Sequence, residues 1–323
     1  MAELTQVPET ISGRRTRGES IALRWKERKK GWQLYVLMLL PFLYLMIFRY
    51  YPMLGAQIAF RDYNLIGGVW GSPWAGLKHF ARFINSYMFS RLMANTLILS
   101  FYQLIASFPL PILLALSLNY LSSRRYRKTV QMATYAPHFI SLVVLVGLMI
   151  QILAMRNGLI NNVIELFGGQ RQSFLGNPDA FRHLYVWSTV WQNVGYSSII
   201  YIATLTSIDP ELHEAAIVDG ATILQRIRNI DIPGILPTAV ILLILSTGRV
   251  LELGFEKAYL LQNPLNLRTS EIIQTYVYKQ GLLAPIPQFS YAAAIGLFRA
   301  VIGLALLTTV NAVSRRVSES SLW

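Results

Sequence analysis

The chain is 323 residues long, 54% hydrophobic and free of cysteine, with a net charge of +13. With a mean hydropathy of +0.41, that apolar content exceeds what a water-facing surface tolerates, which excludes an ordinary soluble domain and makes a lipid bilayer the expected solvent. The missing cysteines remove disulfides and thiolate metal sites.

Residues 1–33 form a basic tail carrying Arg14, Arg15, Arg17, Arg24, Lys26, Arg28, Lys29 and Lys30. Its basic stretch and the apolar run after it are too long for a cleaved signal peptide, and no small-residue cleavage site follows. Six apolar blocks come next: 34–53, 95–120, 131–153, 182–207, 235–255 and 290–313. Each approaches the roughly 20 residues with which a helix crosses the ~30 Å hydrocarbon core. Their continuity favours helices over the alternating strands of a barrel. The expected fold is an all-α integral membrane protein with six transmembrane helices, a membrane domain over 34–313 and a C-terminal segment over 314–323.

Orientation follows from the basic residues beside the blocks. Besides the tail, Arg124, Arg125, Arg127 and Lys128 lie between the second and third blocks, Arg226 and Arg228 after the fourth, and Arg315 and Arg316 at the end. These flanks belong to one side, so both termini are expected in the cytoplasm. Membrane orientation accounts for the net charge without nucleic acid, since only Trp25 and Trp32 interrupt the basic tail. The outer loop 52–94, with Trp70 and Trp74, is long enough to receive a partner; its aromatics equally suit interfacial anchoring.

Within the fourth block Thr189, Gln192, Asn193 and Tyr196 recur at helical spacing on one face, with Trp191 beside them. Polar groups in a span face a bundle interior or a water-filled path. Amides, a phenol and an indole suit sugar hydroxyls and sugar faces; the same groups also suit hydrogen bonds between helices. In the fifth block Arg249, Glu252 and Glu256 fall at i, i+3 and i+7, and Arg299 lies in the sixth. Guanidiniums match an acidic sugar, although Arg249 and Glu252 equally form an ion pair along one helix.

The cytoplasmic loop 208–237 reads Asp209-Pro-Glu-Leu-His-Glu-Ala-Ala-Ile-Val-Asp-Gly-Ala221 and closes with Ile230-Asp-Ile-Pro-Gly-Ile-Leu-Pro237. Asp209 as N-cap, Pro210 in the first turn, Glu211 at the positive dipole end and Gly220 as a left-handed stop predict a short helix over 210–219. Ala215, Ala216 and Ala221 permit close approach of a partner, and Glu214 and Asp219 offer it charge.

On these residues the loop resembles the coupling loop of type I binding-protein-dependent ABC importer permeases, with Glu214, Ala215, Ala216, Asp219, Gly220 and Ala221 on the family's spacing. Ile227, where an aromatic is common, and Ile232, where leucine is usual, depart from it but remain apolar. Pro52-Met-Leu-Gly-Ala-Gln-Ile-Ala-Phe-Arg-Asp-Tyr-Asn64, Gly71-Ser-Pro-Trp-Ala-Gly-Leu77, Asn95-Thr-Leu97 and Tyr135-Ala-Pro-His-Phe-Ile-Ser141 resemble the carbohydrate-uptake branch. More narrowly, they are similar to its lipoprotein-linked polysaccharide permeases, a group that includes an alginate importer permease.

The resemblance implies a bacterial cytoplasmic-membrane protein that does no covalent chemistry. It implies a second, similar permease, two ATPase subunits that bind ATP and Mg, an extracytoplasmic solute-binding protein, and a carbohydrate cargo. It also points to the spans beside the coupling loop as the solute path. Consistent with an external energy source, no stretch matches the phosphate-cradling Gly-x-x-x-x-Gly-Lys-Ser/Thr pattern. His213-Glu214 lacks the second histidine of a zinc-protease helix. An ion-gradient-driven secondary transporter is the alternative, and would show broken, repeat-related helices with ion ligands.

Overall fold

The computed structural model describes residues 32–248 and 250–317. The basic side chains placed in the N-terminal tail and the Arg249 candidate fall outside the described residues. Among those described the regular structure is helical apart from an isolated antiparallel bridge between Arg61 and Trp74. The chain divides into two units, Met1–Gln57 and Ile58–Trp323.

The first unit holds most of α1 (Trp32–Phe60), apolar all round as a membrane span requires. Pro41 and Pro52 lie within it, and a π turn over Met46–Tyr50 re-pairs the backbone between them.

In the second unit, α2 (Lys78–Ile84) lies in the outer loop and α3 (Tyr87–Asn119) is the next long apolar helix. Ser123 caps α4 (Arg124–Tyr135), which tightens into a 3₁₀ turn over Ala136–Phe139 before α5 (Leu142–Ile152). After the short α6 (Leu159–Leu166) comes α7 (Pro178–Thr206), 29 residues long, capped by Asn177. Then follow α8 (Pro210–Val218), α9 (Ile223–Gly248), α10 (Phe255–Leu261), α11 (Ile273–Tyr278) and α12 (Phe289–Val317).

Four helices among the described residues are long and apolar enough to cross a membrane: α1, α3, α9 and Phe289–Ala312 of α12. The pair Arg124–Phe139 and Leu142–Ile152, bent by 101°, makes a fifth if counted as one span. The block 182–207 lies within α7, where Thr189, Gln192 and Asn193 dilute the hydropathy.

Two blocks expected to be continuous helices are broken. In 131–153 the chain turns at Pro137–Ser141: Pro137 lacks an N–H, and Ser141, extended at ψ 149, caps α5 by accepting from the Val144 amide. In 235–255 the helix stops at Gly248, and a new one starts only at Phe255. Glu252 and Glu256 therefore do not share one helical face as the i, i+3, i+7 spacing implied. Glu252 lies in a non-helical stretch flanked by Gly248 and Gly254.

The core is organised around α7. Leu99, Leu145, Val146, Tyr185, Val186, Val190 and Ile272 form one cluster. Ala115, Leu116, Tyr201, Leu205, Ile235 and Ala239 form another nearer the coupling loop. A third joins Phe83, Leu92, Ile273, Tyr291 and Ile295 from α2, α3, α11 and α12. Helices α7 and α4 touch backbone to backbone at Gly195, where a Cβ would collide with the Thr134 carbonyl. Small residues serve such contacts in lipid, where no hydrophobic force drives helices together.

Candidate coupling segment and solute path

The helix expected over 210–219 is α8. Asp209 Oδ1 accepts from the Glu211 amide at 3.0 Å, and Pro210 occupies the first turn. At the other end the Ala221 amide donates to the Ala216 carbonyl at 2.8 Å and Gly220 adopts φ +78°. This is the reciprocal closure that satisfies terminal carbonyls around a left-handed residue. Thr222 and Gln225 then cap one another at the start of α9.

Glu214, Ala215, Asp219 and Gly220 are exposed, Ala216 and Ala221 half-buried. Leu212, Ile217 and Val218 are also exposed, Val218 to 87%. A polar loop helix with such an apolar surface presents a docking face.

The other side of α8 is tethered. His213 Nε2 lies 3.4 Å from Oδ1 of Asp231, whose carboxylate is fully buried at the root of α9. Tyr120, at the end of α3, donates its hydroxyl to Asp231 Oδ2 at 2.6 Å. The Arg226 guanidinium sits over the Tyr120 ring, 5.4 Å from its centroid. Three elements thus meet at one buried carboxylate. Sequence reasoning quoted Asp231 only as motif spacing and missed Tyr120; an acidic residue inside an apolar run, Ile230-Asp-Ile, was the available signal.

The polar face of α7 is heavily engaged within the bundle. Gln192 Nε2 donates to the Ile140 carbonyl freed by the α4–α5 break, at 2.9 Å. Asn193 Oδ1 lies 3.0 Å from His138 Nδ1, and its amide donates to the Thr189 carbonyl. Thr189 Oγ1 accepts from the buried Lys257 ammonium at 2.6 Å. Trp191 is exposed. Tyr196 stacks on His138, centroids 3.9 Å apart and planes within 4°, and lines a cleft of about 550 Å³ between α3, α7 and α9.

Glu252 lines this cleft and also a second one, of about 720 Å³, bounded by α11, α12 and Arg299. Arg299 Nη1 donates to the Leu251 carbonyl at 3.3 Å. Gln274 Nε2 donates to the carbonyls of Leu251 at 2.8 Å and Leu253 at 3.3 Å. Both helix breaks follow one rule: side-chain donors from another helix satisfy the carbonyls that the break releases, as irregular backbone at membrane depth requires.

At the N-terminal half of α3, Asn95 Nδ2 donates to the carbonyls of Arg268 and Glu271, while its Oδ1 accepts from Arg182. Thr96 Oγ1 accepts from the Ile273 amide. Buried Glu271 pairs with Arg91 at 2.9 Å and Lys279 at 3.1 Å.

Comparison with known proteins fits this geometry. Residues 86–319 match the family of binding-protein-dependent transport system inner membrane components. The chain is 44% identical over 290 residues to the polygalacturonan/rhamnogalacturonan transport system permease protein YteP of Bacillus subtilis (strain 168), covering 90% of each chain. It is 37% identical over 308 residues to protein LplB of the same organism, covering 95% of this chain and 96% of that one. A crystal structure of a bacterial ABC transporter involved in the import of the acidic polysaccharide alginate superposes with a TM-score of 0.85 at 41% identity, covering 91% of this chain and 99% of that one. The same transporter type in complex with an alginate pentasaccharide-bound periplasmic protein gives a TM-score of 0.85 at 40% identity. With a match of this extent and a capped, outward-facing helix at the family's motif, the chain belongs to the binding-protein-dependent transport system inner membrane components.

Proposed function

We propose that this chain is the membrane-spanning permease subunit of an ATP-driven importer whose cargo is an acidic oligo- or polysaccharide. The observation that carries the first half is α8: capped at both ends, exposed on Glu214, Ala215, Asp219 and Gly220, and tethered beneath through His213 and Asp231. Such a helix transmits force between a docked protein and the bundle. The occupant is an ATPase subunit; ATP and Mg bind there, and hydrolysis is not this chain's chemistry.

The acidic cargo rests on the relatives, which carry polygalacturonan/rhamnogalacturonan and alginate. All three contain uronic acid units. A second permease, a pair of ATPase subunits and a solute-binding protein outside the membrane complete the assembly. The pattern of basic flanks supports six spans with both termini in the cytoplasm; α7 supplies the span that hydropathy alone leaves out, and the bent α4–α5 pair another.

Thr189, Trp191, Gln192, Asn193, Tyr196, Arg249, Glu252 and Arg299 remain the path candidates, with Tyr196, Glu252 and Arg299 lining clefts. Broken helices would also suit an ion-gradient transporter, but family membership and the docking helix favour ATP-driven import. Uptake into proteoliposomes containing the whole complex, with loaded binding protein outside and ATP inside, tests the proposal. Oligouronates should be taken up and neutral oligosaccharides of equal length should not. Uptake without the ATPase subunits would overturn the ATP-driven reading, and equal uptake of both sugar classes would overturn the acidic cargo.

A further inference from the structure

The long helix α3 contributed nothing to the path candidates read from the sequence, yet it carries three unsatisfied polar groups. Ser100 Oγ, Gln103 Oε1 and Ser107 Oγ are buried and lack a hydrogen-bond partner. They fall at i, i+3 and i+7, one face of a helix, and all three line the cleft of about 550 Å³.

Several hydroxyls elsewhere in the described helices satisfy themselves. Ser117, Thr134, Thr204 and Thr247 each donate to the carbonyl four residues earlier. Ser100 and Ser107 do not, although Ser100 is only 2% exposed. An unpaired polar atom buried in an apolar bundle is costly, and three on one stripe of a helix that lines one cavity indicate a group that arrives from outside the protein.

The chemistry of the cleft narrows that group. Two hydroxyls can donate or accept, and an amide carbonyl accepts, which matches vicinal hydroxyls of a sugar. Opposite them Tyr196 has one ring face covered by His138 and is 48% exposed, leaving an aromatic surface for a sugar ring. Ser246 adds a further hydroxyl, and the described lining residues include no lysine or arginine. The described part of this wall offers a carboxylate no cation.

We infer that Ser100, Gln103 and Ser107 form a subsite that holds the hydroxyl face of the transported saccharide, with its carboxylates turned away from this wall. This rests on the importer reading above. Its test is the triple variant Ser100→Ala, Gln103→Met, Ser107→Ala, reconstituted in the complete complex and assayed with radiolabelled oligogalacturonate and oligoalginate. Loss of three sugar contacts should lower kcat/KM of uptake at least about ten-fold, while the thermal midpoint of the complex stays level or rises because orphaned polar atoms have been removed. Uptake equal to wild type overturns the inference. So does a lowered thermal midpoint, which would mark the stripe as structural. A wild-type complex that takes up neither oligouronate sinks the cargo reading instead, so the two failures are distinguishable.

Discussion

Replacing Tyr120 by Phe removes one oxygen and leaves the shape of the tether intact. Asp231 is fully buried, and its Oδ2 then loses the donor now at 2.6 Å. Its Oδ1 cannot compensate, because His213 Nε2 stands 3.4 Å away without hydrogen-bond geometry. Hydrogen bonds to charged groups contribute about 1.5–3 kcal/mol, and a buried acceptor left unpaired loses the upper part of that range. A loss of about 2 kcal/mol corresponds to a drop of roughly 3 °C in thermal midpoint for a chain of 323 residues. Asp231→Asn should cost less, since an amide oxygen still accepts and no charge is stranded. The double variant should therefore fall short of the sum by about 1 kcal/mol or more, as groups in contact do. Because the same carboxylate faces α8, the transport-to-ATP ratio should fall along with stability. The assay is thermal unfolding of the purified complex beside uptake and hydrolysis measured in the same proteoliposomes. Additive effects, or a Tyr120→Phe complex within about 1 °C of wild type at full coupling ratio, would refute the tether.

Gly220 has φ +78° with nothing within 4 Å of a Cβ position, so Gly220→Ala costs only the left-handed strain of about 1–2 kcal/mol, and Gly220→Val more; coupling ratio should fall in that order. Gly195→Leu drives a side chain into the Thr134 carbonyl, and the yield of folded protein in membranes should collapse where an exposed Leu substitution is silent. Gln274→Leu strands the Leu253 carbonyl and leaves that of Leu251 to Arg299 alone, at a cost of about 1–3 kcal/mol in thermal stability. In the outer loop, the hydrogen bond from Lys78, with His79 nearby, holds the Asp62 carboxyl below its ordinary 3.8. The depressed value means the stabilisation is complete above pH 3.8 and fades as pH falls through the lowered value. Hydrogen exchange across residues 61–79 should accelerate only on such acidification, and Asp62→Asn should show the fast rate at neutral pH.

Local chemistry made part of this protein legible in one dimension. The apolar blocks report the solvent, because a membrane demands long runs of internally paired backbone. Helix α8 is set by residues adjacent in sequence, Asp209, Pro210 and Gly220, so its start and stop could be read without knowing what surrounds it. The breaks could not. Pro137 and Gly248 permit interruption, but tolerance of an interruption in lipid depends on Gln192, Gln274 and Arg299 arriving from other helices. The polar stripe of α7 looked the same in sequence whether it faced sugar or a neighbouring helix; only packing showed that Thr189, Gln192 and Asn193 already have partners while Tyr196 borders a cavity. For the same reason Ser100, Gln103 and Ser107 passed unnoticed. Their spacing is unremarkable, and what marks them is the absence of any acceptor or donor nearby, which is a property of the assembled bundle and of no single segment.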